Sequence, residues 1–268
     1  MHGRVLIVAG SDSGGGAGIQ ADIKTVTMQG AYAATAITAL TAQNTEGVFG
    51  VLPIPPQFIR QQIEVVLDDI GADAIKTGML HDAAVIEAVA AVLQERASGI
   101  PLVVDPVMVA KGGARLIDPD AIGALKRRLI AHATVLTPNL PEAETLCGMS
   151  IGDVAAMRCA GEMLLALGCR AVLVKGGHLT GDIVSDVLVT ATGARIWESP
   201  RIDTRHTHGT GCTLASAIAA GLAQGRDIES AVDRARDYVR QAIASAPGLG
   251  RGHGPLDHAH PLTAAASR

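Results

Sequence analysis

Aromatic side chains are nearly missing from this chain, with one Trp, two Tyr and two Phe among 268 residues. So few rings leave little for nucleic-acid bases to stack on. A net charge of −4, with no basic run, also removes the electrostatic footprint of a nucleic-acid partner. No apolar stretch approaches the roughly 18 uninterrupted residues of a membrane span, and no basic-then-apolar signal opens the chain. Cysteine is sparse as well. Cys147, Cys159, Cys169 and Cys212 make no CxxC pair, so reduced thiols and a cytoplasmic location are expected rather than a disulfide framework. A G-x-x-x-x-G-K-[ST] phosphate loop is absent; VKGGH carries its lysine, Lys175, before the glycines.

What the chain does have is small and aliphatic. Hydrophobic residues make up 48% of it, and with almost no rings the core must be built from Ala, Val, Ile and Leu. RVLIVAG, Arg4 to Gly10, reads as a buried parallel strand, and SDSGGGAG turns it into a helix over 17–29. Further strands are expected at 32–42, AIKTGM, LVVDPVMV, TVLTPN and AVLVKGG. A hairpin over 183–198 should turn at Thr192–Gly193. Helices fall between them, at PPQFIRQQIEVVLDDIG, HDAAVIEAVAAVLQERA, DPDAIGALKRRLIAH, LPEAETLCG and 151–168, and finally at 211–224 and 227–246. Strand and helix alternate at least six times without a linker. The pattern predicts one α/β domain over 1–268, doubly wound around a mostly parallel sheet with helices on both faces. The Gly, His and Pro-rich stretch 247–268 reads as a loose tail. Ligands of such sheets bind beyond the carboxyl ends of the strands, where the glycine and polar clusters fall.

HGTGCTLASAIAAGLA, from His208 to Ala223, carries the clearest chemistry. Gly209 and Gly211 let the backbone come close to a ligand, and the helix that follows points its unpaired N–H groups and positive dipole end at it. That is an anion cradle. Cys212 lies in the first turn, where its thiol is expected to fall below its free value of roughly 8.5. NLPE places Asn139 and Glu142 one helical turn apart, either as oxygen ligands of a water-shelled Mg²⁺ or as a helix cap. GAGIQA at 16–21 fits a dinucleotide fingerprint, but the ribose-binding acid about 20 residues on is missing. His206 and His208 form a pair with no third ligand at zinc spacing, so His208 reads as a loop or supporting residue.

Taken together, AGSDSGGGAGIQADIKT, TALTAQNT, IKTGML, VVDPVMVAKGG, LTPNLPEAE, VLVKGGH and THGTGCTLASAIAAG resemble the ribokinase superfamily across essentially the whole chain. Within it they resemble the hydroxymethylpyrimidine/phosphomethylpyrimidine kinases of thiamine biosynthesis. The resemblance implies ATP and Mg²⁺ as cofactors, a homodimer, and transfer of phosphate to a pyrimidine alcohol and then to its monophosphate. It implies a substrate pocket of Gly10, Ala17, Asp22, Gln43, Met79 and Val107, with a structural cap or pair equally open for Asp22. The catalytic cradle would be Gly209, Thr210, Gly211 and Cys212, with Cys212 as the base. ATP would meet Lys175, Asn139, Gly209 and Gly211, and Mg²⁺ would be held through water by Asn139, Glu142 and Asp105. The Gln43 carboxamide, donor and acceptor at once, suits an aminopyrimidine edge. Gly113 stands where the family's lid often carries serine, which implies a more mobile lid. Two other readings stay open. One is a pyridoxal kinase, although the lid MVAKGGARL lacks the cysteine expected with that activity; the other is a non-catalytic sensor, which would have no use for the cradle, NLPE and Cys212 together.

Overall fold

The computed structural model describes residues 1–109, 113 and 116–266. Most of the expected lid, including Lys111, lies outside them. The described strands are β1 (Arg4–Asp12), β2 (Tyr32–Gln43), β3 (Val48–Pro53), β4 (Ala74–Thr77), β5 (Leu102–Val104), β6 (Val135–Leu136), β7 (Ala171–Lys175), β8 (Ile183–Thr190) and β9 (Gly193–Pro200). They form one sheet in the order β3-β2-β1-β4-β5-β6-β7-β8-β9. The six strands from β2 to β7 in that order run parallel, while β3 and β8 run against them and β9 pairs antiparallel with β8.

Side chains alternate across the sheet, so β1 feeds both layers. Val5, Ile7 and Ala9 pack on one face with α1 (Gly18–Met28), α7 (Thr210–Ala223) and α8 (Ile228–Ala244). Leu6 and Val8 pack on the other with α2 (Pro56–Asp69), α3 (Ala83–Arg96), α4 (Ala121–Arg128), α5 (Leu140–Cys147) and α6 (Val154–Leu165). α7 can lie flat against the sheet because its core-facing residues are mostly Ala, with Leu214 and Ile218 filling the gaps.

Strand order reverses between β1 and β4. That switch point opens a crevice at the carboxyl ends of the strands. The fold class is therefore as expected, but two local expectations need correction. β3, which pairs with β2 from Ala39↔Pro53 to Gln43↔Val48, lies in a stretch for which no element was expected. The tail is not loose: Leu256, His258 and His260 are buried, Tyr238 Oη donates to the His258 carbonyl at 2.7 Å, and His260–Ala266 forms α9. Among the described residues no helix is long and apolar enough to cross a membrane.

Candidate active site

The crevice is a cavity of about 660 Å³ lined from almost every strand end. Gly10 and Asp12 come from β1, Gln43 from β2, Met79 from just past β4 and Asp105 from just past β5. Asn139 precedes α5, Lys175 ends β7, and Gly209 to Cys212 open α7. Ala17 and Val107 complete the acceptor end, so every residue expected to bind substrate lines this cavity except one. The exception is Asp22. It is fully buried on α1, with Lys76 Nζ 2.9 Å from both its oxygens and Ser216 Oγ donating at 2.6 Å. Its carboxylate is spent on an internal ion pair and does not reach a ligand.

Gly209, at φ 84°, is the N-cap of α7, and no side chain caps that helix. The Thr210 N–H donates to the Thr207 carbonyl at 3.4 Å, while Gly211 and Cys212, whose amides lie in the first turn and have no intrahelical partner, line the cavity with Lys175 alongside. A Cβ at Gly209 would fall 1.8 Å from the Gly16 carbonyl oxygen, so backbone fills that space and glycine is required. A Cβ at Gly211 would instead meet Lys175 Nζ at 3.2 Å and Asp105 Oδ2 at 3.6 Å. Gly211 therefore keeps a side chain out of the place where the Lys175–Asp105 pair faces the helix end.

The expected low thiol value of Cys212 is corrected. Burial pushes it up to about 12, with Asp22 and Asp105 adding to the rise, while Lys76 and the Gly18 amide act the other way without prevailing. The desolvation penalty outweighs the helix end, and Cys212 is a neutral thiol.

Asn139 and Glu142 form a capping box. Asn139 Oδ1 accepts from the Glu142 amide at 2.9 Å, and Glu142 Oε2 accepts from the Asn139 amide at 2.8 Å. Glu142 is nevertheless buried, and burial raises its carboxyl to about 7; Lys175 opposes that rise and Asp105 adds to it. Lys175 Nζ donates to Asp105 Oδ1 at 3.1 Å, and Thr137 Oγ1 donates to the same oxygen at 3.2 Å. Burial works against the Lys175 ammonium, but Asp105 and Glu142 hold it charged. Among the described residues no three acidic, His or Cys side chains gather as a metal cage. Two carboxylates and an amide beside a phosphate cradle fit an ion that keeps its waters and takes its direct ligands from phosphate.

Asp12, which the sequence reading left out, and His208, which it read as a loop or supporting residue, organise the acceptor end. Asp12 Oδ1 accepts from the Gly14 amide at 2.8 Å, and Oδ2 accepts from Ala17 at 2.8 Å and Gly16 at 3.2 Å. His208 Nε2 lies 2.8 Å from the same Oδ2. Burial would raise Asp12, but the His208 contact and the loop amides overcome it and keep the carboxyl below its ordinary value. The glycine loop after β1 thus spends its amides on Asp12 rather than on a phosphate, which accounts for a dinucleotide fingerprint without its function. An acid opening a glycine run is a signal for such a turn, and it was legible at Asp12.

An α/β fold with a two-ended cavity at its switch point, one end an anion cradle and the other small and largely apolar, defines a small-molecule phosphotransferase. The phosphomethylpyrimidine kinase family model matches residues 12–257, and the chain belongs to that family. It is 54% identical over 257 residues to the thiamine biosynthesis bifunctional protein ThiED of Geobacter sulfurreducens. That match takes in 96% of this chain but 52% of the relative, so the chain spans about half of that protein. It is 48% identical to the hydroxymethylpyrimidine/phosphomethylpyrimidine kinase of Streptomyces coelicolor, over 95% of this chain and 93% of that one. Among solved structures, the ADP complex of Bacillus subtilis pyridoxal kinase superposes with a TM-score of 0.91 at 38% identity, covering 98% of this chain and 99% of that one. Phosphomethylpyrimidine kinase of Clostridium difficile gives 0.80 at 42% identity, covering 90% and 99%.

Proposed function

We propose that the chain transfers phosphate from ATP to 4-amino-5-hydroxymethyl-2-methylpyrimidine, and then from a second ATP to the resulting monophosphate, in thiamine biosynthesis. The observation that carries this reading is a single cavity in which Gln43 and Met79 face the same space as the Gly209–Cys212 amides and Lys175. The pyrimidine lies between Ala17, Met79 and Val107 with its aminated edge on Gln43. The triphosphate lies along Lys175 and the cradle, and its base reaches Pro200, Ile202, Val239 and Ile243 at the far end.

Phosphoryl transfer asks the protein mainly for position and charge. The α7 amides meet the negative charge gathering on the transferred group, and a well-placed donor of this kind contributes about 10²–10³ in rate. Lys175, kept charged by Asp105, offsets repulsion between phosphates. Mg²⁺, held through water by Asp105, Asn139 and Glu142, supplies further charge neutralisation when bound. Cys212, a neutral thiol, shapes the cradle beside the acceptor instead of serving as a ready base. The hydroxymethyl proton leaves as the new P–O bond forms, to a phosphoryl oxygen. Free cysteines support a cytoplasmic location. The exposed edge strand β3, with Phe49 72% and Leu52 62% accessible, supports a homodimer.

The likeness to pyridoxal kinase favours a second reading, in which the acceptor is pyridoxal. ADP release measured with the pyrimidine alcohol and with pyridoxal, at equal concentrations, separates the two. Faster turnover of the pyrimidine supports the first reading, faster turnover of pyridoxal the second, and none with either leaves only a binding protein.

A further inference from the structure

The polar contacts around Gln43 contain two conflicts that one change removes. Thr41 Oγ1 lies 2.8 Å from the Ser11 carbonyl oxygen and 3.1 Å from Gln43 Oε1. A hydroxyl has a single proton, and the shorter contact, to a carbonyl that can only accept, takes it. Two acceptors then face each other at Gln43. On the other side of the same amide, Gln43 Nε2 lies 3.4 Å from His208 Nε2. That ring nitrogen must carry a hydrogen, because it also lies 2.8 Å from Asp12 Oδ2, an oxygen that already accepts from two backbone amides. Two donors then face each other. Exchanging the oxygen and nitrogen of the amide, which are interchangeable in shape, gives Thr41 Oγ1 a donor and turns the Gln43 oxygen toward the one His208 N–H, which Asp12 Oδ2 holds at the shorter distance.

We infer that the Asp12–His208 pair is a specificity device, which fixes the Gln43 amide with its oxygen toward His208 Nε2–H and its NH₂ on Thr41 Oγ1. One oxygen lone pair and one N–H remain, and they meet a bound ring in a single order. A ring nitrogen beside an exocyclic amine matches that order. Turning the ring over to match the reverse order would carry its hydroxymethyl arm away from the cradle. A pyridine whose nitrogen lies between a methyl group and a C–H offers no such donor–acceptor edge. The fixed amide therefore selects an aminopyrimidine over a pyridine alcohol, and it does so through Asp12 and His208, which line the same cavity beside it. This rests on the pyrimidine reading above. The pair is also well braced: a Cβ at Gly16 would come within 2.5 Å of the His208 ring, and the His208 amide donates to the Gly254 carbonyl of the tail.

Three proteins test this: wild type, His208→Leu, which lacks a donor, and His208→Gln, which can restore one. Turnover of the pyrimidine alcohol by wild type is established first; its absence removes the pyrimidine reading itself. Given that turnover, His208→Leu should raise the pyrimidine KM about tenfold, the cost of one hydrogen bond left unmade. The ATP KM should stay put, the Ki for pyridoxal should change less than twofold, and His208→Gln should recover most of the loss. Nitrogen-15 spectra of the free wild type should show His208 protonated at Nε2. An unprotonated Nε2 overturns the inference. So does a leucine variant whose pyrimidine KM and pyridoxal Ki rise together, or a glutamine variant as impaired as leucine.

Discussion

Lys76 Nζ lies 2.9 Å from each carboxylate oxygen of Asp22, and solvent reaches neither side chain. Burial works against the ammonium, but Asp22, with Asp105 behind it, holds it charged. Beneath the cradle this pair ties β4 to α1. Lys76→Met alone leaves a carboxylate buried without a partner and should cost about 3–5 kcal/mol of stability. Lys76→Met combined with Asp22→Leu should recover much of that. Urea denaturation of both variants decides the matter, and equal losses would mean that the charges are not compensating each other.

Cys212 should alkylate slowly at neutral pH. Its thiol is pushed up to about 12, so thiolate forms only in strong base. Iodoacetamide labelling of the unliganded protein, followed on the Cys212 peptide, should still be rising at pH 10. A plateau below pH 8 would restore the thiolate that the helix end alone suggests. Cys212→Ala should accordingly slow transfer to the alcohol and to the monophosphate by similar factors. A loss confined to the alcohol would identify a base.

The two cradle glycines should fail differently. A side chain at Gly209 meets the Gly16 backbone and is strained at φ 84°, so Gly209→Ala should lower the thermal midpoint by several degrees. Gly211→Ala crowds only Lys175 and Asp105, so it should keep the midpoint and lose at least tenfold in kcat. Circular dichroism melts with turnover assays on both variants make the comparison, and matching midpoints would contradict it.

This contrast marks what was legible in the sequence. Glycines before an apolar helix identify an anion cradle from spacing alone, and the strand ends that line the crevice follow from alternation. Which glycine needs its freedom depends on Gly16, nearly 200 residues away, and spacing cannot convey that. Asp22 is a related case, since substrate contact and structural pairing stay equally open in the sequence until a lysine from β4 is found against it. Composition misled at the tail, where Leu256, His258 and His260 bury themselves among glycines and prolines. Desolvation, the largest influence on Cys212, has no counterpart in the motif.

His258 links the tail to α7, with its Nε2 2.9 Å from Thr213 Oγ1. Burial, with Lys24 and His260, lowers it to about 4 against the opposing pull of Asp257. From pH 6.5 down to 4 the unfolded chain gains a proton that the folded chain refuses, so stability falls as pH drops through that window. The loss amounts to up to ~3 kcal/mol. His258→Gln keeps a polar partner and cannot titrate, so its melting temperature should fall less than that of wild type between pH 7 and 4.5. Parallel curves would show that the tail histidine takes no part in acid sensitivity.

One cradle serving two acceptors in turn is the central claim, and a phosphorus-31 time course tests it most directly. Wild type with ATP, Mg²⁺ and the pyrimidine alcohol should give the monoester first and then the diphosphate, at the expense of two ATP for each pyrimidine. A reaction that stops at the monoester, or that never begins on the alcohol, would contradict it.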